Sequence, residues 1–177
     1  PKDRATSVTR DYVLDLDANG PPLLSIYGGK LTTYRRLAED VVDALAPGLG
    51  CTTRPWTAGQ PLPGGDMPQA DFDAFMKGLS ARYPGLPGAL LHRYARAYGT
   101  RAERILAGAA SQADLGPEVL PGLHVREIDY LRREEWAVTA EDILYRRSKL
   151  ALHVPVDGAA RLDDWLQSHP SHGPGGD

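Results

Sequence analysis

Hydrophobic and polar positions change rhythm along the chain. In Arg10–Asp17 they alternate, placing Tyr12, Leu14 and Leu16 on one face of a strand. Asn19-Gly20 follows, and Asn-Gly is a strong signal for a two-residue hairpin turn with positive φ. Leu23–Tyr27 (LLSIY) then reads as a mostly apolar return strand buried on both faces, with Pro21 and Pro22 tolerable only at its start. Gly28-Gly29 breaks that strand. Beyond it, Tyr34, Leu37, Ala38, Val41 and Leu45 recur at helical spacing, opposite Arg35, Arg36, Glu39, Asp40 and Asp43. Thr32 or Thr33 is the expected cap of this helix, which runs to about Ala46 and ends at Pro47-Gly48.

Residues 47–66 are dense in Pro, Gly and Thr and read as a linker. From Asp66 onward the pattern is helical throughout. Asp66 is the expected cap of a helix holding Phe72, Phe75, Met76 and Leu79; a second carries Leu90, Leu91, Tyr94 and Tyr98. Thr100-x-x-Glu103 is a capping-box pattern ahead of Ile105 and Leu106. Val125, Ile128, Leu131, Glu135 and Trp136 mark another helix, Thr139-x-x-Asp142 opens the next, and Asp157 caps the last, which holds Leu162, Trp165 and Leu166. A Gly, Pro and His tail closes the chain.

The expected fold is therefore mainly α: a helical domain over 67–169, preceded by a β-hairpin plus helix over 1–46, with a linker at 47–66 and a disordered tail at 170–177. Two strands and a helix are too few for a stable sheet domain, so 1–46 reads as the end of a larger α/β domain. The chain starts at Pro1, and its first Met is Met67, which reads as a piece of a longer protein.

Composition narrows the function. The 177 residues are 42% hydrophobic and 24% charged, enough apolar content for a packed core. A net charge of −3 argues against sequence-independent nucleic-acid binding. No run approaches the ~18 apolar residues of a membrane span. The one cysteine, Cys51, excludes an intrachain disulfide and a thiolate metal cluster, and reads as an incidental thiol. The five histidines (His92, His124, His153, His169, His172) contain no i, i+4 pair, so no metal site is expected. Sixteen Arg against four Lys suggest a GC-rich bacterial genome. Trp56, Trp136 and Trp165 read as packing anchors. Arg132-Arg133 and Arg146-Arg147 with Lys149 suit an anionic membrane surface, although nearby acids favour pairing within the chain.

The chemically informative string is Ser25–Arg35, SIYGGKLTTYR. Strand, two glycines and helix expose backbone N–H groups at a helix N-terminus, where anions and electron-rich ring edges bind. Lys30 adds a full charge at the same place. Taken by itself, Gly-Gly-Lys is equally a tight strand–helix turn with a solvated lysine.

The whole string resembles the flavin-contacting segment of FAD-dependent glycerol-3-phosphate dehydrogenases. The preceding TRDYVLDLD is similar to the strand before that segment, and EEWAVTAEDILYRRSKLAL to that family's C-terminal helical signature. The resemblance implies a two-domain flavoenzyme oxidising sn-glycerol 3-phosphate to dihydroxyacetone phosphate, with hydride transfer to FAD and electrons passed to quinone. It implies that Gly28, Gly29, Lys30, Leu31 and Thr32 meet the flavin, and that Arg10 and Lys30 bind the substrate. For Arg10, the alternative is a strand-edge arginine pairing with Asp11 or Asp15. No catalytic residue is expected in this chain; the base belongs elsewhere in the parent. The sequence holds no G-x-G-x-x-G pyrophosphate fingerprint, so this piece is expected to retain no FAD and to be inactive. The expected location is cytoplasmic, peripheral on the inner face of the bacterial membrane. Two alternatives stand beside this reading: a glycerophosphate oxidase using O2, and a non-enzymatic helical module docking a partner or membrane.

Overall fold

The computed structural model describes residues 11–170; the expectations for Arg10 and most of the tail lie outside them. The chain divides into two compact units, with the boundary between Gln60 and Pro61. It is mainly helical, with a small β-hairpin near its start.

In the first unit, β1 (Tyr12–Asp17) pairs antiparallel with β2 (Leu23–Gly28), Tyr12 opposite Gly28 and Asp17 opposite Leu23. The connection departs from the expected turn: Ala18–Pro22 form a five-residue loop, and neither Asn19 nor Gly20 takes positive φ. The Asp17 carboxylate organises it by accepting from the Asn19 backbone and side-chain amides at 2.9 and 3.0 Å. Pro21 and Pro22 delay the return strand, because neither offers an N–H to the ladder. β2 is not buried on both faces as expected: only Leu24 and Ser25 are half-covered.

A 3-10 turn, Leu31–Thr33, leads into α1 (Tyr34–Leu49), which lies against β1. The helix runs through Pro47 and stops instead at Gly50, which takes the left-handed conformation (φ 63). There the Gly50 and Cys51 N–H groups both donate to the Ala46 carbonyl. Pro47 offers no N–H to the helical ladder, and the helix ends three residues later. A second 3-10 turn, Thr57–Gly59, is tied to α1 by the Thr57 hydroxyl donating to Glu39 at 2.5 Å. No described residue of this unit is fully buried.

The second unit holds the core. It contains α2 (Phe72–Arg82), α3 (Gly88–Tyr98), α4 (Ala102–Leu106), α5 (Val125–Glu134), a π-helical turn (Asp142–Arg147) and α6 (Gly158–Ser168). Leu79, Leu91, Tyr94, Ile105, Leu106, Ile128, Leu131, Ile143 and Leu162 interlock at its centre. Each such burial contributes roughly 1.5–3 kcal/mol.

Several expected features differ. Asp71, not Asp66, caps α2, accepting from the Ala74 N–H at 2.9 Å; Asp66 instead receives the Thr100 hydroxyl. Thr100 therefore sits in a 3-10 turn rather than a capping box, and Glu103 pairs with Arg82 at 2.6 Å. The Thr139/Asp142 box does form, and with both its bonds. The region is not wholly helical: β3 (Glu118–Leu120) and β4 (Leu123–His124) form a hairpin about Pro121-Gly122. Gly122 supplies the positive φ (77) this turn requires. Trp136 lies beyond α5 with φ 52 and is 82% exposed, and Trp56 is exposed too. Only Trp165 packs, stacked on His169 with ring centroids 4.3 Å apart.

Candidate functional site: the Gly28–Thr32 turn

Gly28 and Gly29 both take positive φ, 85 and 91. At Gly28 glycine is doubly required, since a β-carbon would lie 2.9 Å from the Asp11 carbonyl oxygen. These residues swing the chain from β2 into the helix. Lys30, in extended conformation, then begins the 3-10 turn.

The Thr33 side chain stabilises this entry from inside. Its hydroxyl accepts from the Lys30 N–H at 3.2 Å and donates to the Lys30 carbonyl at 2.9 Å. The Thr33 N–H also reaches that carbonyl, at 3.0 Å. The Leu31 and Thr32 N–H groups, in the first turn, have no helical acceptor. Both residues are exposed, Leu31 by 88%.

The neighbouring charges are already committed. Arg35 pairs with Glu39 at 2.8 Å and Arg36 with Asp40 at 3.1 Å. Lys30 has no carboxylate partner among the described residues. Among the described residues the result is an open edge with two unpaired N–H donors and one ammonium. That donor set fits an anionic or electron-rich planar edge, such as the pyrimidine edge of a flavin.

Beneath the turn, the Tyr12 hydroxyl donates to Asp40 on α1. This bond raises the Tyr12 phenol pKa and holds the Asp40 carboxyl below its usual range. The pair was not legible as a pair in the sequence. Tyr12 and Asp40 are 28 residues apart, and Asp40 looked like any residue of a solvated face.

The second unit has a polar centre of its own, also unforeseen. Glu127, fully buried on α5, meets the Arg93 guanidinium of α3 through two bonds of 2.7 and 2.6 Å. Tyr98 donates to the same carboxylate at 2.5 Å, and Arg93 reaches the Gly122 carbonyl at 2.5 Å. Burial, with the Glu127 charge beside them, pushes the Tyr94 and Tyr98 phenols well up. The group is enclosed in the core and ties α3, α5 and the β3–β4 turn together.

The basic pairs suited to an anionic surface have internal partners. Arg146 binds Glu141 and Asp142 at 2.7 and 2.8 Å, and Arg147 donates to the Glu135 carbonyl. Lys149 donates to the Tyr145 carbonyl, and Arg132 to that of His169. Among the described residues no helix is long and apolar enough to cross a membrane, and no cluster of three or more metal-ligating side chains occurs.

Comparison with known proteins supplies the family. The chain is 49% identical to a glycerol-3-phosphate dehydrogenase of Pseudomonas aeruginosa, over 97% of its own length and 34% of the relative's. It is 42% identical to a D-erythritol 1-phosphate dehydrogenase of Brucella abortus, over 94% of the chain and 34% of that protein. It is 40% identical to the aerobic glycerol-3-phosphate dehydrogenase of Escherichia coli, over 93% and 33%. The chain thus spans about a third of the length of the curated relatives it matches. Residues 55–167 match the family described as the C-terminal domain of alpha-glycerophosphate oxidase, and the chain belongs to that family.

Proposed function

We propose that this chain is the C-terminal part of a flavoenzyme that oxidises sn-glycerol 3-phosphate to dihydroxyacetone phosphate and passes the electrons to quinone. In this reading, residues 1–46 complete an FAD-binding domain and 67–169 form a helical domain appended to it. The observation that carries it is the open edge at Lys30–Thr32, which lies in a segment shared with relatives named for polyol-phosphate dehydrogenation.

Bound FAD supplies the hydride acceptor. The chain's own task is electrostatic. The Leu31 and Thr32 N–H groups and the Lys30 ammonium would hold the electron-rich edge of the flavin and, being fixed in place, would stabilise negative charge there without rearranging. The Thr33 hydroxyl holds the Lys30 backbone at both its N–H and its carbonyl, which fixes those donors beforehand. Arg10 and Lys30 serve the substrate; an arginine fork suits a phosphate because it donates two parallel bonds. The base that takes the hydroxyl proton belongs to the remainder of the enzyme, which acts at the inner face of the cytoplasmic membrane.

Stopped-flow reduction of the full-length enzyme tests the assignment. Lys30→Ala should slow flavin reduction roughly 10²-fold, the usual effect of losing one preorganised donor. Arg10→Ala should mainly weaken substrate binding. Unchanged reduction in both variants would sink the assignment. The 177-residue chain alone should purify colourless and inactive; flavin absorbance in it would contradict the proposed division of the cofactor site.

The matched family's oxidase description favours a second reading, in which O2 takes the electrons and forms peroxide. Peroxide release with glycerol 3-phosphate, measured against quinone reduction, decides between them. D-Erythritol 1-phosphate belongs in the same assay, since one relative is named for it.

A further inference from the structure

We infer that Tyr12, tied to Asp40, is a positioning residue that sets the Gly28–Lys30 turn against α1 and so aims the donors of the first helical turn. The inference rests on the flavin-edge reading above.

Three contacts converge on Tyr12. In the β1–β2 ladder it stands opposite Gly28, the last residue of β2. Its Cβ and Cδ1 lie 3.8 and 3.9 Å from where a Gly29 β-carbon would sit, and Leu37 Cδ2 of α1 lies 3.5 Å from the same point. The second glycine is therefore seated between the Tyr12 ring and the inner face of the helix. The Tyr12 hydroxyl then continues to the Asp40 carboxylate, whose other oxygen accepts from Arg36 Nε at 3.1 Å. One side chain thus joins the strand, the turn and the helix.

The geometry matters because two glycines make the turn pliable. The Thr33 bonds hold the turn together internally, but with both glycines at positive φ the junction before it does not by itself fix how that turn is set against β1 and α1. Electrostatic stabilisation requires donors aimed before the charge develops. The ring packing and the phenol–carboxylate bond supply that aim from below, so Tyr12 acts through the turn.

The test compares Tyr12→Phe, Asp40→Ala, Asp40→Asn and Lys30→Ala in the flavin-loaded full-length protein. Phe keeps the ring and loses the tie, Ala at 40 removes its acceptor, and Asn at 40 retains a carbonyl acceptor. Tyr12→Phe and Asp40→Ala are expected to speed hydrogen exchange at the Lys30 and Thr33 amides several-fold. They should also lower the flavin midpoint potential and slow flavin reduction roughly tenfold, with KM for glycerol 3-phosphate little changed. Asp40→Asn should restore most of each effect, and the double variant Tyr12→Phe/Asp40→Ala should be no worse than either alone.

The inference is overturned if Lys30→Ala lowers the potential while Tyr12→Phe and Asp40→Ala leave potential and exchange unchanged. If Lys30→Ala itself leaves the potential unchanged, the flavin-edge reading fails. Amide exchange in the two tie variants then still decides whether Tyr12 holds the turn. Should Tyr12→Phe misfold, Asp40→Ala carries the same test.

Discussion

At the scale of single residues, close backbone approach and backbone conformation separate cleanly at two glycines. Gly108 has positive φ (73), and a β-carbon there would meet nothing within 4 Å. Gly85 has ordinary backbone, but its β-carbon would stand 2.0 Å from the Ala110 carbonyl oxygen. Gly108→Ala should therefore cost about 1 kcal/mol from conformation alone. Gly85→Ala should cost about 3 kcal/mol or more, because a backbone carbonyl cannot step aside cheaply. Thermal denaturation of the two variants checks the order. His124 carries a pH effect. Its ring is buried, Nδ1 has no partner among the described residues, and burial lowers its pKa from 6.5 despite Glu118 and Glu127 nearby. The folded state thus holds it neutral, while the unfolded state protonates near the ordinary value. Its contribution to stability is present above about pH 6.5 and is lost as pH falls from there through the folded pKa. Melting temperature should drop between pH 7 and 5, and His124→Gln should flatten that slope.

At the scale of elements, the Arg93–Glu127 pair governs how α3 meets α5. Losing one partner leaves the other charge stranded, so Glu127→Ala or Arg93→Met alone should cost about 3–5 kcal/mol. Arg93→Met with Glu127→Leu should recover much of this but not all. Tyr98 loses its acceptor and the Gly122 carbonyl its donor in the double variant. Urea denaturation of the single and double variants reads the difference directly. The capping box of the π-helical turn works more locally. Asp142 accepts from the Val138 and Thr139 N–H groups, which hold its carboxyl well below the usual range. Asp142→Ala should lower the thermal midpoint of the second unit, as the loss of other caps does.

At the scale of the whole molecule, burial is unequal. Every fully buried apolar side chain among the described residues belongs to the second unit. In the first, Val13, Leu23 and Tyr27 occupy one face of the hairpin and stay exposed; α1 lies over the other. With so little apolar surface removed from water, the first unit should open first. Hydrogen exchange should show the amides of β1, β2 and α1 exchanging well before those of α3 and α5. In urea the two units should unfold in separate steps, the first at lower concentration.

The sequence by itself determined the elements whose cause is local. Alternation in TRDYVLDLD and the apolar LLSIY specify the hairpin strands. Helical periodicity specifies most of α1 to α6, and Thr139-x-x-Asp142 specifies its cap, because each rests on residues within a turn of one another. The resemblance in SIYGGKLTTYR likewise located the candidate site, since its residues are contiguous. Some local signals still competed: Gly50 overrode Pro47 as the helix stop, and Pro121-Gly122 made a hairpin inside a helical region. Only the tertiary structure decided what depends on distant partners. Tyr12 with Asp40, Arg93 with Glu127 and Asp66 with Thr100 join residues 28 to 34 positions apart. No periodicity encodes such pairings, because they arise when packing brings two elements together and burial then requires each polar group to find a partner.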